Sequence, residues 1–221
     1  MKIRYICVIH TSPATIDVFG RLLRERVPHA RVSNLLDDSI LPELRDNGGD
    51  VAAVAPRWRE YAKIARDLGA DVVLNACSSI GELCEPVARE LSIPIVRVDS
   101  AMAREAVARG QRVAVVATME TTLRPTRALI VDTARRDGRN VEVGATLVEG
   151  AYAALVAGDQ SAHDDRVAAA LIAASEDADA VVLAQASMAR VLPRLDPGAR
   201  AKCLISPPLA VADVVEAIAR L

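Results

Sequence analysis

Cys77 is the residue whose neighbours best equip it for chemistry. It follows a short apolar stretch in the run Asp71-Val72-Val73-Leu74-Asn75-Ala76-Cys77-Ser78-Ser79, after which a helical pattern begins. A strand ending this way places its last side chains at the carboxyl end of a parallel sheet, where open α/β folds bind ligands. Unpaired N–H groups and the helix dipole at a helix start favour a thiolate, so a lowered pKa is expected for Cys77. A thiolate there can take a proton from carbon or attack a carbonyl. A small buried apolar residue in a tight turn would leave the same trace. The polar neighbours and the strand-end position favour chemistry.

About a hundred residues later the pattern returns without its thiol, as Asp179-Ala180-Val181-Val182-Leu183-Ala184-Gln185-Ala186-Ser187-Met188. Gln185 can donate and accept hydrogen bonds but is no base near neutral pH. Ser187 is a poor base without an activating neighbour. This turn, with Ala186, is expected to close a pocket and bind a polar group of the substrate. Two such turns suggest two facing half-sites.

Two further loops resemble anion seats. One is His10-Thr11-Ser12-Pro13-Ala14-Thr15 and the other is Thr118-Met119-Glu120-Thr121-Thr122. Hydroxyls and N–H groups at a helix start bind carboxylate or phosphate. A plain helix cap accounts for one hydroxyl in each loop but less well for several. Neither loop has the glycine spacing of a dinucleotide or P-loop site, so no nucleotide cofactor is expected. His10 is the histidine expected to line the cleft, although a strand-end histidine is more often a satisfied structural group. His29 and His163 fall in surface-like contexts. Asp37 and Asp38 read equally as polar ligands or as a helix cap, and Arg57 and Trp58 as surface packing of a helix. The four cysteines, Cys7, Cys77, Cys84 and Cys203, have no zinc-like spacing, so no metal site is expected.

These loops need a scaffold, and its elements alternate from end to end. Strands are predicted over 3–9, 31–35, 71–75, 94–97, 112–117, 140–147, 180–184 and 202–205. Helices are predicted over 13–26, 50–68, 80–91, 100–109, 121–137, 150–157, 161–176 and 207–220. Pro13 suits a first helical turn capped by Ser12, and Gly69, Gly110 and Gly138 fall where helices should stop. The alternation argues for an α/β fold with parallel sheets and helices on both faces. The repeat divides the chain into two pseudo-symmetric lobes, 1–99 plus 206–221 and 100–205, with a cleft between their facing strand ends.

Bulk composition agrees. The chain has 221 residues, 52% hydrophobic and only 2% aromatic, which favours buried parallel strands over a stacking platform for nucleic acid. Lys plus Arg is 27 and Asp plus Glu is 29, a net charge of −2 with no basic block, so no nucleic-acid partner is expected. No stretch approaches the roughly 20 apolar residues of a membrane span. No signal-peptide pattern stands at the start, and the chain reads as cytoplasmic with reduced cysteines.

Taken in order, Ile9-His10-Thr11, Leu74-Asn75-Ala76-Cys77-Ser78-Ser79, Ala117-Thr118 with Thr121-Thr122-Leu123, and Leu183-Ala184-Gln185-Ala186-Ser187-Met188 resemble the aspartate/glutamate/hydantoin racemase superfamily over nearly the whole chain. The resemblance implies a cofactor-independent isomerase, usually a homodimer, acting on a small amino acid or carboxylate. Two cysteines would face each other across the substrate α-carbon. By position Cys77 matches the first. The second falls at Gln185 if the flanking residues are matched, the preferred register, or at Ala186 if the chain's own first copy is matched. His10, Thr11, Ser12, Asn75, Ser78, Ser79, Thr118, Thr121, Thr122, Ala186 and Ser187 would bind substrate. With the second thiol missing, three functions stay open: a racemase-like isomerase, a one-cysteine decarboxylase or cis-trans isomerase of a small dicarboxylate, and a small-anion binding protein.

Overall fold

The computed structural model describes residues 3–221. The chain forms two compact units, one running to Ser100 and rejoined by Pro207–Leu221, the other Ala101–Ser206. The first contains β1 (Tyr5–His10), α1 (Ala14–Arg26), β2 (Arg31–Leu36), α2 (Ile40–Asp46), α3 (Ala55–Asp67), β3 (Val72–Asn75), α4 (Cys84–Leu91) and β4 (Ile95–Arg97). The second contains α5 (Ser100–Arg109), β5 (Arg112–Ala117), α6 (Glu120–Arg136), β6 (Glu142–Leu147), α7 (Ala151–Val156), α8 (Gln160–Asp177), β7 (Ala180–Leu183), α9 (Pro197–Lys202) and β8 (Cys203–Ile205). The last helix, α10 (Ser206–Ala219), packs in the first unit.

Each unit has one four-stranded parallel sheet, ordered β2-β1-β3-β4 and β6-β5-β7-β8. All eight strands lie where the apolar runs place them. Side chains alternate between faces along a strand, and in the first unit both faces are buried. Cys7, Ile9 and Val73 pack against Ile40, Leu44, Trp58, Ala62, Cys77 and Cys84. Ile6, Val8, Val72 and Leu74 pack against Phe19, Leu23, Val98, Ala210, Val211 and Val214. In the second unit, Val116, Val181 and Leu183 pack against Val167, Leu171, Met188 and Val191.

The repeat extends to how the strands are tied. The Asp71 carboxylate accepts the Tyr5 N–H at 2.8 Å, and the Asp179 carboxylate accepts those of Gln111 and Arg112, both at 2.9 Å. Gly69 and Gly138 end their helices with φ of 86° and 64°, as expected of left-handed helix stops. Gly110 has a different reason to be glycine, since a methyl there would overlap the Asp179 side chain.

Some sequence expectations are corrected. Helix α2 was hidden by Pro42, which sits in the first turn, where a missing N–H costs nothing. Helix α9 was hidden by Pro197-Gly198, which follows an Asp196 cap that accepts the N–H groups of Gly198 and Ala199. The helix expected over 80–91 begins instead as a 3-10 turn, Ser78–Leu83, and a 3-10 stretch also spans Ala186–Arg194. Ser12 is a weak cap, accepting the Ala14 N–H at 3.4 Å. Trp58 and His163, read as surface groups, are both wholly buried.

Candidate active site

Backbone pairing brings the carboxyl ends of β1 and β3 together and sets Thr11 beside Cys77. The Ala76 N–H donates to the Ile9 carbonyl at 2.9 Å, and Cys77 follows in extended conformation, φ −131° and ψ 118°. Its thiol is hydrogen-bonded by the side chains of Thr11 and Ser79 and by the backbone N–H groups of Ser79 and Ile80. Cys77, Ser78, Ser79 and Thr11 are all buried. Burial pushes the Cys77 thiol above its ordinary range, and the four donors only partly offset it. The expected lowering is therefore corrected. The donors at this turn are present, but the water that would help hold a thiolate is excluded.

Asn75 is wholly buried; its Nδ2 donates to the Cys77 carbonyl at 2.8 Å, and its Oδ1 finds no hydrogen-bond partner among the described residues. The Asn75 side chain also bonds the Cys84 thiol. Burial pushes that thiol up to about 12, although the Arg97 charge pulls the other way, so Cys84 stays protonated near neutral pH. None of the four cysteines is bridged.

His10 is held within its own unit. It has no exposed surface, with Nδ1 2.7 Å from the Thr15 hydroxyl and Nε2 2.9 Å from the Asn34 side-chain oxygen. Burial lowers its pKa, and the Asn34 contact opposes that shift. Both ring nitrogens are thus engaged. At the end of β2, Asp37 accepts from Ser39 and from the Tyr61 hydroxyl at 2.9 Å and is ion-paired with Arg57, whose Nε lies 2.9 Å away, whereas Asp38 is exposed. Those contacts outweigh burial and lower the Asp37 pKa.

The second unit builds the same rim with other residues. Here the Ala184 N–H donates to the Val116 carbonyl at 3.0 Å, and Gln185 follows with φ −127° and ψ 135°. Gln185 is therefore the backbone counterpart of Cys77, Ala186 of Ser78, and Thr118 of Thr11. The Gln185 Oε1 accepts the Thr118 N–H at 2.7 Å, and its Nε2 donates to the Thr118 hydroxyl at 3.0 Å. Thr118 and Thr122 are buried, the Thr121 hydroxyl is buried without a hydrogen-bond partner among the described residues, and Ser187 is exposed.

Sequence reading missed two groups. Arg97 is clasped by Asp99 beside the Cys77 turn. In the second unit His163 Nδ1 lies 2.8 Å from Asp164, which also accepts from Arg190 at 2.8 Å. The i, i+1 pair His163-Asp164 was the visible signal, and only α8 packing on the 186–194 stretch turns it inward. Among the described residues, no cluster of three His, Cys, Asp or Glu side chains is placed to hold a metal ion. Nor is any helix among them long and apolar enough to cross a membrane.

The sequence model of the Asp/Glu/Hydantoin racemase family matches residues 6–221. The chain belongs to this family. Solved racemases share its fold at low identity. The glutamate racemase of Bacillus anthracis superposes with a TM-score of 0.77 at 15% identity, covering 100% of this chain and 83% of that one. The glutamate racemase of Francisella tularensis, in complex with D-glutamate, gives 0.76 at 16%, covering 98% and 81%. The allantoin racemase of Klebsiella pneumoniae gives 0.71 at 21%, covering 98% and 88%. No curated protein matches the chain in sequence.

Proposed function

We propose that this racemase-family chain is a cofactor-independent isomerase working at the α-carbon of a small amino acid or carboxylate, with Cys77 as its base. The observation that carries this reading is the Cys77 thiol at the end of β3, ringed by Thr11, Ser79 and two backbone N–H groups. In the step proposed, the Cα–H bond breaks, the proton passes to Sγ, and the bonding electron pair moves onto the substrate carboxylate as an enediolate. Donors fixed around the sulfur stabilise the thiolate that begins the step. Ser78 and Asn75 complete the turn, and Thr118, Thr121, Thr122, Ala186 and Ser187 are proposed to bind substrate with Gln185. The family resemblance supports a homodimer that works in the cytoplasm.

Gln185 marks where the reaction departs from two-thiol racemisation. An amide is neither a general base nor a general acid near neutral pH. The proton is therefore returned by Cys77 to the face it left, and exchange outruns inversion. The same one-sided thiol favours a second reading, decarboxylation or cis-trans isomerisation of a small dicarboxylate.

Proton NMR in D₂O with a panel of L- and D-amino acids and small diacids separates these readings. Loss of an α-proton signal with retained configuration, abolished in Cys77→Ala, is the expected result. A new product from a diacid moves the assignment to the second reading. Exchange that persists in Cys77→Ala removes Cys77 as the base.

A further inference from the structure

Beside the Cys77 turn lies a buried ion pair that the proposed chemistry does not use. Arg97, the last residue of β4, donates through Nε to Asp99 Oδ1 at 2.6 Å and through Nη2 to Oδ2 at 3.0 Å. The two side chains are 14% and 0% exposed. Desolvation makes such a pair a weak source of stability compared with apolar packing of similar volume. Its location suggests another use. A methyl at Gly81 would overlap Nε, Cζ and Cδ of Arg97, so the side chain lies directly on the 3-10 turn Ser78–Leu83. Gly81 does not have a positive φ, so this position needs glycine for space rather than for backbone conformation. That turn also presents the Ser79 and Ile80 N–H groups to the thiol.

The second unit provides an internal control. Pairing of Asn75 with Arg97 and of Leu183 with Ile205 makes Ile205 the counterpart of Arg97, and Ala189 occupies the place of Gly81. With Ile205 and Pro207 in the places of Arg97 and Asp99, the described residues form no such clasp where Gln185 replaces the thiol.

We propose that Arg97, held by Asp99, is a positioning residue for Cys77, pressing on the turn at Gly81 and fixing the Ser79 and Ile80 N–H groups on the sulfur. The inference rests on the reading of Cys77 as the base, but its first test needs no substrate. Cys77 is alkylated with iodoacetamide across a pH series and followed by peptide mass spectrometry, in the parent, Arg97→Lys and Gly81→Ala. Arg97→Lys keeps the charge opposite Asp99 and loses the planar fork; Gly81→Ala displaces the fork and keeps it. Both are expected to move the Cys77 midpoint alkaline by about one pH unit, as loss of a hydrogen bond to a charged form does, with the Cys203 profile unchanged. In substrate exchange, kcat should fall about tenfold with KM kept. A lowered Tm with an unmoved Cys77 midpoint would show a purely structural pair and overturn the proposal. Should Gly81→Ala not fold, Arg97→Lys decides alone. If Cys77→Ala retains exchange while the midpoints move, the clasp stands and the reading of Cys77 as base fails.

Discussion

The two strand-end turns share a backbone and differ in chemistry. Cys77 and Gln185 have nearly the same dihedral angles, each follows an alanine tied to the neighbouring strand, and each is bonded to the corresponding threonine, Thr11 or Thr118. The rim of the first unit carries a thiol and the ionisable groups Asp37, Arg97 and Asp99. Their counterparts in the second are Gln185, Val148, Ile205 and Pro207. A repeated fold preserves a place for a side chain, and the side chain in that place determines whether a proton can move. Fold similarity alone does not carry the activity across.

Gln185→Cys breaks the contrast most directly. A second thiol should add inversion to exchange and raise racemisation about a hundredfold, the scale of one acid/base group. Chiral chromatography of the product checks it, with Ala186→Cys as the register control. Gain in Ala186→Cys alone would mean that backbone correspondence does not identify the second base.

The paired threonines sharpen the comparison at a smaller scale. Thr11→Val removes a donor to the thiol and is expected to lower the exchange rate about tenfold while shifting Cys77 alkylation to higher pH. Thr118→Val removes the hydroxyl that accepts from Gln185 Nε2 and leaves the backbone N–H contact in place; it should raise KM a few-fold, about what a neutral hydrogen bond is worth, with kcat kept. Equal effects on kcat would erase the proposed division of labour.

The pH profile of kcat/KM follows from burial. Because the Cys77 thiol lies above its ordinary range, the active thiolate grows with pH. The midpoint of the rise should lie above about pH 8.5, the midpoint of an ordinary thiol. A plateau near pH 7 would mean that the donors outweigh burial.

The smallest effect concerns the matching strand ties. The N–H groups of Arg112 and Gln111 hold the Asp179 carboxyl below its ordinary range. A carboxylate depressed in the folded state stabilises above its unfolded pKa of about 3.9, and this contribution is lost as pH falls through the folded value. Asp179→Ala should therefore lower Tm at pH 7, with the gap from the parent narrowing below about pH 4. A gap that does not change with pH would assign the tie to packing. Asp71→Ala provides the comparison in the first unit.

Most of the architecture was legible along the chain because strand burial on both faces leaves unbroken apolar runs such as Val72–Leu74 and Val181–Leu183. Short helices opened by proline were not, because Pro42 and Pro197 carry opposite meanings in a first turn and elsewhere. Cys77 and its threonine loop were legible as residue types at a strand end. Its protonation was not, since a run of letters shows donors but not the exclusion of water. His163 and Trp58 looked polar or peripheral because their burial depends on helices packed over them.

Residue order alone determines the alternation of strands and helices, the repeat, and the thiol at one strand-end turn with glutamine at the other, since these depend on neighbours within a few positions. Three-dimensional packing decides the rest. It makes Gln185 the backbone counterpart of Cys77 through ladder hydrogen bonds within each unit, raises the thiol by burial, and brings Arg97 onto Gly81 from sixteen residues away. Desolvation and close approach arise between segments distant in the chain, so they act only once the sheet has formed.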